Sequence, residues 1–449
     1  MPAELPDWRG LSVVIAGAGV TGSSVVRALE PLGATVRIVD DSDGTAAAAL
    51  PQGTALVVTS PGWRPDHPLL LEAARRGVRV WGDVELAWRL GRDMATPWLI
   101  VTGTNGKTTT TGMLAAVLEA AGLSTQACGN YGPPVLDAVL HEPPHDVLAV
   151  ELSSFQLHWA PSVRPQAGAV LNLADDHLDW HGSRASYAHA KARAYGDEGT
   201  VAVGVAGDDA LLATAPGRRV RVTLAAPAAG ELGVVRQPGG PALLVDRCFA
   251  AGAPAEAEAL ASLADLPALL APHDVTNALV AAALARAHGV PAEAVAAGLA
   301  SYQPGEHRMQ VIGTHAGVTW VDDSKATNPH AALASLAAFD SVVWIAGGLN
   351  KGLAFDGLAR GARDTVRAAV LLGRCAPEIA EALARHAPEI PVIRVPDLDA
   401  GVREASRLAR PGDTVLLAPA AASMDMFRDY RERGQAFAAG VARLAGKGS

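Results

Sequence analysis

The sequence predicts an α/β fold made of three parallel-sheet domains in succession, and three observations carry that prediction. A chain of 449 residues is too long for one hydrophobic core. Short apolar runs alternate with helical stretches along most of its length, the order that puts helices on the faces of parallel sheets. Breaks at GRDMATP and YQPGEHR divide the chain into 1–93, 94–304 and 305–449.

The first segment reads LSVVIAGAG, a helix from Thr21 to Leu32, ATVRIVDD, TALVVTSPG and GVRVWGD, which predicts a Rossmann-like sheet. Gly17-Ala18-Gly19-Val20-Thr21-Gly22, with Asp40 at the end of the second strand, has the form of a dinucleotide fingerprint. The same loop can grip the diphosphate of a UDP-sugar, and both ligands stay open on these residues alone.

The middle segment begins with the strand Trp98 to Val101, followed by Gly103-Thr104-Asn105-Gly106-Lys107-Thr108 and a helix. Such a loop turns backbone N–H groups toward phosphate oxygens, while lysine reaches the terminal phosphates and Thr108 serves Mg2+. The spacing is shorter than the usual P-loop because Val101 stands where its first glycine would be. A P-loop ATPase-like domain is expected. It also argues against hydride chemistry in the first domain, for which no dehydrogenase half remains. Glu151 ends the apolar strand Val147 to Val150, and Asp175-Asp176-His177-Leu178-Asp179 follows the next strand, so carboxylates and a histidine reach the carboxyl edge of the sheet. Ser153 and Ser154 could equally be helix caps, and the acidic run a solvated loop. Lys191 lies on a predicted helix between Tyr187 and Tyr195; it is either an ordinary surface lysine or a neutral amine able to take up CO2 as a carbamate. Residues 200–262 carry short strand-like runs and no readable motif.

The third segment is again Rossmann-like: GVTWVDDSKATN, a helix from His330 to Ala338, SVVWIAGG, TVRAAVLLG, a helix from Ala376 to His386, IPVIRV, a helix from Ala400 to Leu408, and DTVLLAPAAAS. Glu306-His307-Arg308, Asp322 to Asn328, Lys351 and Ser423 gather at its strand ends, the clustering expected where a nucleotide meets a charged substrate.

Composition excludes several classes. A net charge of -9 argues against nucleic-acid binding. No apolar stretch approaches membrane-span length and the start lacks signal-peptide character, so a cytoplasmic protein is expected. Cys128, Cys248 and Cys375 have neither metal-ligand nor disulfide-framework spacing. Of 37 basic residues only five are lysine, and four of those fall within the motifs above. An ammonium can lose its proton and react where a guanidinium cannot.

GTNGKTT, ELSSFQL, DDHLD, AHAKAR, HDVTNALVAA, EHR, DDSKATN and APAAASMDMFRDYRERG together resemble the Mur ligases, in that family's order and from the first strand to the C-terminus. GAGVTG, TSPG and ASMDMFRDYRERG look most like its D-glutamate-adding members. The resemblance implies ATP-dependent formation of an amide bond, with UDP-N-acetylmuramoyl-L-alanine and D-glutamate as small-molecule substrates, and a monomer. It implies that Gly103, Thr104, Asn105, Gly106, Lys107, Thr108, Thr109, Asn277, Arg308 and Asp323 hold ATP. Thr108, Glu151, His177 and a carbamylated Lys191 would serve two Mg2+ ions, with Lys107, His177 and Lys191 catalytic. Thr21, Asp41, Ser60, Gly62 and Asn130 would line the UDP-linked substrate, and Thr327, Lys351, Ser423 and Tyr430 would receive D-glutamate. Asp274, Ala418 and the Asp41-Ser42 pair depart from the family's common residues. Competing readings are another amino-acid-adding ligase or a folylpolyglutamate synthase, an NAD-dependent oxidoreductase, and a nucleotide-binding switch.

Overall fold

The computed structural model describes residues 7–40, 50–91, 96–236, 238–249, 257–266, 271–350 and 352–445. The chain forms two compact units, residues 1–267 with 274–302 and residues 268–273 with 303–449. The first unit contains two sheets and the second contains one.

β1 (Ser12–Ala16), β2 (Thr35–Val39), β3 (Leu56–Thr59) and β4 (Arg79–Gly82) form an all-parallel sheet in the order β2-β1-β3-β4. Its helices are α1 (Val20–Leu29), α2 (Pro68–Arg75) and α3 (Asp83–Leu90). The predicted first helix therefore ends three residues earlier than expected, in a turn closed by Leu32 N–H to Leu29 O. Val13 and Ile15 pack with Val25 and Leu29 on one face, and Val14 and Ala16 with Leu69, Leu70 and Ala73 on the other. Burial on both faces is why β1 reads as a continuous apolar run.

The second sheet has nine strands, β5 (Trp98–Thr102), β6 (Thr125–Gly129), β7 (Val147–Glu151), β8 (Ala167–Val170), β9 (Val201–Val205), β10 (Arg218–Val222), β11 (Glu231–Arg236), β12 (Ala242–Asp246) and β13 (Glu258–Ser262), in the order β13-β12-β11-β10-β9-β8-β5-β7-β6. Only the pairings of β12 with β11 and β13 are antiparallel. The segment without a readable motif thus extends the sheet, and Arg286 locks it by pairing with buried Asp246 at 2.9 Å. α4 (Lys107–Ala120), α5 (Val135–Val139), α6 (Ser154–His158), α7 (Leu178–His181), α8 (Arg184–Ala192), α9 (Asp209–Leu212), α10 (Pro272–Ala287) and α11 (Ala292–Ser301) complete this part. α11 lies so close to α4 that a Cβ on Gly298 would stand 2.4 Å from Val117 Cα.

The second unit has a six-stranded sheet, β14 (Gln310–His315), β15 (Val318–Asp322), β16 (Val342–Gly347), β17 (Val366–Leu372), β18 (Val392–Arg394) and β19 (Thr414–Leu417), in the order β14-β15-β19-β16-β17-β18. All but the β14 pairing are parallel. α12 (Pro329–Leu336), α13 (Asp356–Ala362), α14 (Ala376–His386), α15 (Leu398–Leu408) and α16 (Tyr430–Ala445) accompany it. The predicted α/β class holds throughout. Among the described residues no helix is long and apolar enough to cross a membrane.

Candidate active site

β5 lies between β7 and β8, so the loop at 103–106 leaves the sheet where the chain's crossovers change direction, the usual place for ligands in open α/β sheets. Gly103 and Gly106 have φ of 154° and 84°, which a side chain would strain, and Gly106 caps α4 from the left-handed region. Lys107 opens α4, and its Nζ donates to the carbonyls of Gly103 and Thr104 at 3.0 and 2.9 Å. The loop is braced from outside. Asn105 N–H donates to Asn172 Oδ1 at 2.9 Å, and Thr104 Oγ1 lies 3.0 Å from Tyr187 Oη. Asn277 of α10 is buried against Gly106: a Cβ there would meet Asn277 Oδ1 at 2.5 Å.

Glu151, 1% exposed, ends β7 beside this loop's strand. Its Oε1 accepts from Asn130 Nδ2 at 2.7 Å, while Oε2 is buried with no hydrogen-bond partner. A buried carboxylate oxygen left open in this way suits a cation. The Ser153–Gln156 capping box starts α6 just after it, so the capping reading of ELSSFQL holds at Ser153. His177 is the N-cap of α7 with φ 54°, with its ring 4.7 Å from Phe155 and its Nε2 3.4 Å from Asp176 Oδ2. Lys191 is no surface lysine: it is 2% exposed, donates to Gly103 O at 2.7 Å, and lies 4.6 Å from the centre of the Tyr187 ring. Burial, and then the charge of Lys107, push its pKa well below the usual lysine value, which shifts the balance toward the neutral amine. Among the described residues no group of three His, Cys, Asp or Glu side chains is placed to hold a metal ion.

In the first sheet, Gly17 (φ 114°) lies against the loop after β3, where a Cβ would stand 2.4 Å from Ser60 Oγ. This is the switch point of the order β2-β1-β3-β4. Ala18 N–H reaches Asp40 Oδ1 at 3.4 Å. Thr21 lies in the first turn of α1 and Gly62 is exposed, whereas Asn130 is bound to Glu151 in the neighbouring sheet. Asp41 and Lys351 lie outside the described residues.

In the second unit the loops after β15, β16 and β19 meet, with Leu349 bridging Ala422. Asp323 accepts from Ser335 Oγ and from Met309 N–H, and burial raises its pKa despite the lowering charge of Arg308. Thr327 stands just before α12, Ser423 is buried, and Tyr430 opens α16 with Lys325 Nζ 3.9 Å from its ring centre. Two arrangements here escape a reading of the sequence. Arg433 is 2% exposed and donates to Ser324 O at 2.8 Å and Ala421 O at 3.2 Å, tying the loop after β15 to that after β19; burial brings its pKa down to about 10. His307 Nδ1 bonds buried Asp322 Oδ2 at 2.7 Å. The Arg433 tie is not legible beforehand, because one arginine among three in RDYRERG carries no sign of burial, and the sequence marks His307 and Asp322 as candidates without showing that they pair.

The model of the Mur ligase middle domain matches residues 101–234, and that of the Mur ligase glutamate ligase domain matches residues 307–421. The chain belongs to the Mur ligase family, ATP-dependent enzymes that form amide bonds. It is 54% identical to the UDP-N-acetylmuramoylalanine--D-glutamate ligase of Frankia casuarinae, over 97% of this chain and 94% of that one. The enzyme of the same name from Streptomyces avermitilis is 50% identical over 98% of this chain and 100% of its own. Among solved structures, a MurF ligase from Thermotoga maritima in complex with ADP shares the fold at a TM-score of 0.61 and 17% identity, covering 97% of this chain and 96% of that one.

Proposed function

We propose that the protein joins D-glutamate to UDP-N-acetylmuramoyl-L-alanine at the expense of ATP, in the cytoplasm, as a monomer acting in peptidoglycan synthesis. The identity of about half its residues to ligases of that name, along nearly their whole length, carries the choice of substrates. A carboxylate is a poor electrophile, so it is first phosphorylated: an alanyl carboxylate oxygen takes the γ-phosphoryl group of ATP, releasing ADP. The amine of D-glutamate then attacks the acyl phosphate carbon, and the tetrahedral intermediate expels phosphate.

In this reading the loop from Gly103 to Thr109 and Asn277 hold the triphosphate, and Lys107 turns from the Gly103 and Thr104 carbonyls toward it. Positioning and charge neutralisation supply most of the acceleration in phosphoryl transfer. Arg308 and Asp323 are also assigned to ATP. Thr108, Glu151, His177 and Lys191 would hold two Mg2+ ions, which neutralise phosphate charge when bound. The neutral amine of Lys191 is the form that adds CO2, giving a carbamate and a released proton. Thr21, Asp41, Ser60, Gly62 and Asn130 are assigned to the UDP-linked substrate, and Thr327, Lys351, Ser423 and Tyr430 to D-glutamate. The domains proposed for these roles are 1–93, 94–304 and 305–449.

Phosphate release measured with ATP, UDP-N-acetylmuramoyl-L-alanine and each of several amino acids tests the reading. D-glutamate should support turnover and L-glutamate, L-alanine and meso-diaminopimelate should not; phosphate release without any amino acid would instead support a slow nucleotide switch.

A further inference from the structure

The loop after β3 brings a side chain to the glycine turn that no motif predicts. A Cβ built on Gly17 would stand 3.4 Å from Trp63 Nε1 as well as 2.4 Å from Ser60 Oγ, so only glycine lets both donors approach this backbone. Trp63 is half-buried and held firmly. Its backbone N–H donates to Ser60 O at 3.2 Å, its ring lies 4.3 Å from that of His67, and it packs on the core formed by Val57, Leu69 and Leu70. The next residue anchors the loop to the central sheet's site: Arg64 Nη1 donates to Asp179 O at 2.9 Å, two residues from His177. Among the described residues no group accepts a hydrogen bond from the Trp63 indole N–H. An indole nitrogen is a donor only, and its N–H commonly finds an acceptor when the ring is packed.

We propose that Trp63 is a further substrate-binding residue, whose indole N–H donates to the diphosphate of the UDP-linked substrate beside Ser60. The proposal rests on the reading that the first sheet receives that substrate. Two side-chain donors flanking a glycine turn at the switch point give an anionic diphosphate fixed partners that do not need to be reorganised on binding.

Trp63→Phe keeps a packed ring and removes only the N–H. The KM for UDP-N-acetylmuramoyl-L-alanine should rise about tenfold, the scale expected for one hydrogen bond to a charged group. Competitive inhibition by UDP should weaken by the same factor, with kcat, the KM values for ATP and D-glutamate, and inhibition by uridine little changed. Unaltered inhibition by UDP overturns the proposal. So do equal losses for UDP and uridine, which would place the ring on the base, and a fall in Tm with all three KM values raised, which would make the role structural. Wild-type protein that neither uses the UDP-linked substrate nor is inhibited by UDP would sink the underlying functional reading instead.

Discussion

The buried amine of Lys191 donates to the carbonyl of Gly103 at 2.7 Å, so that α8 is closed onto the first residue of the glycine loop. Helix and loop are 88 residues apart in sequence. The contact makes this amine a support for the loop, and the charges of Asp176 and Glu151 act on it from nearby.

Lys191→Ala is expected to lower turnover by at least about a thousandfold, as the loss of a preorganised charge at a phosphoryl-transfer site does. Short carboxylates such as acetate should restore part of it by standing in for a carbamate. Steady-state rates with and without added carboxylate decide the point; full activity without additive would remove the carbamate.

Glu151→Gln keeps an oxygen for Asn130 and removes the charge of the partnerless Oε2. The Mg2+ concentration needed for half-maximal activity should rise at least about tenfold, with Tm little changed, as expected when a cation loses a carboxylate ligand. A Mg2+ titration identical to wild type would refute the assignment.

Asp83 gives a prediction about stability. It is 3% exposed at the start of α3, its Oδ1 has no partner, and burial raises its pKa from 3.8 to about 6. A raised folded-state pKa means that the protonated form is favoured by folding: this contribution is present below about pH 4 and lost as pH rises through about 6. Asp83→Asn imitates the protonated form. It should exceed wild-type stability by on the order of 3 kcal/mol at pH 8, with the gap closing as pH falls. Denaturant melts at pH 5 and pH 8 that show the same gap would contradict the buried charge.

Much of the fold was legible because its signals are local. A strand, a glycine turn and a helix are encoded within some twenty residues, and the 98–108 segment and α14 at 376–386 appear where the pattern puts them. Helix ends moved by a few residues, as at α1, where a terminal turn competes with the last helical hydrogen bonds. Residues 200–262 gave only short apolar runs, since a strand's propensity depends on the neighbours it packs against in the sheet.

The sequence by itself determined the α/β class, the strand, glycine loop and helix at 98–108 and the chemical types at the strand ends, because backbone conformation and residue chemistry are properties of short segments. Tertiary structure alone decided that Lys191 is buried, that Glu151 keeps one oxygen without a partner, that Arg433 ties two loops together and that Trp63 meets Gly17. Burial and desolvation arise only when segments far apart in the chain exclude water together, and they decide which polar groups lose their water and which keep an open valence.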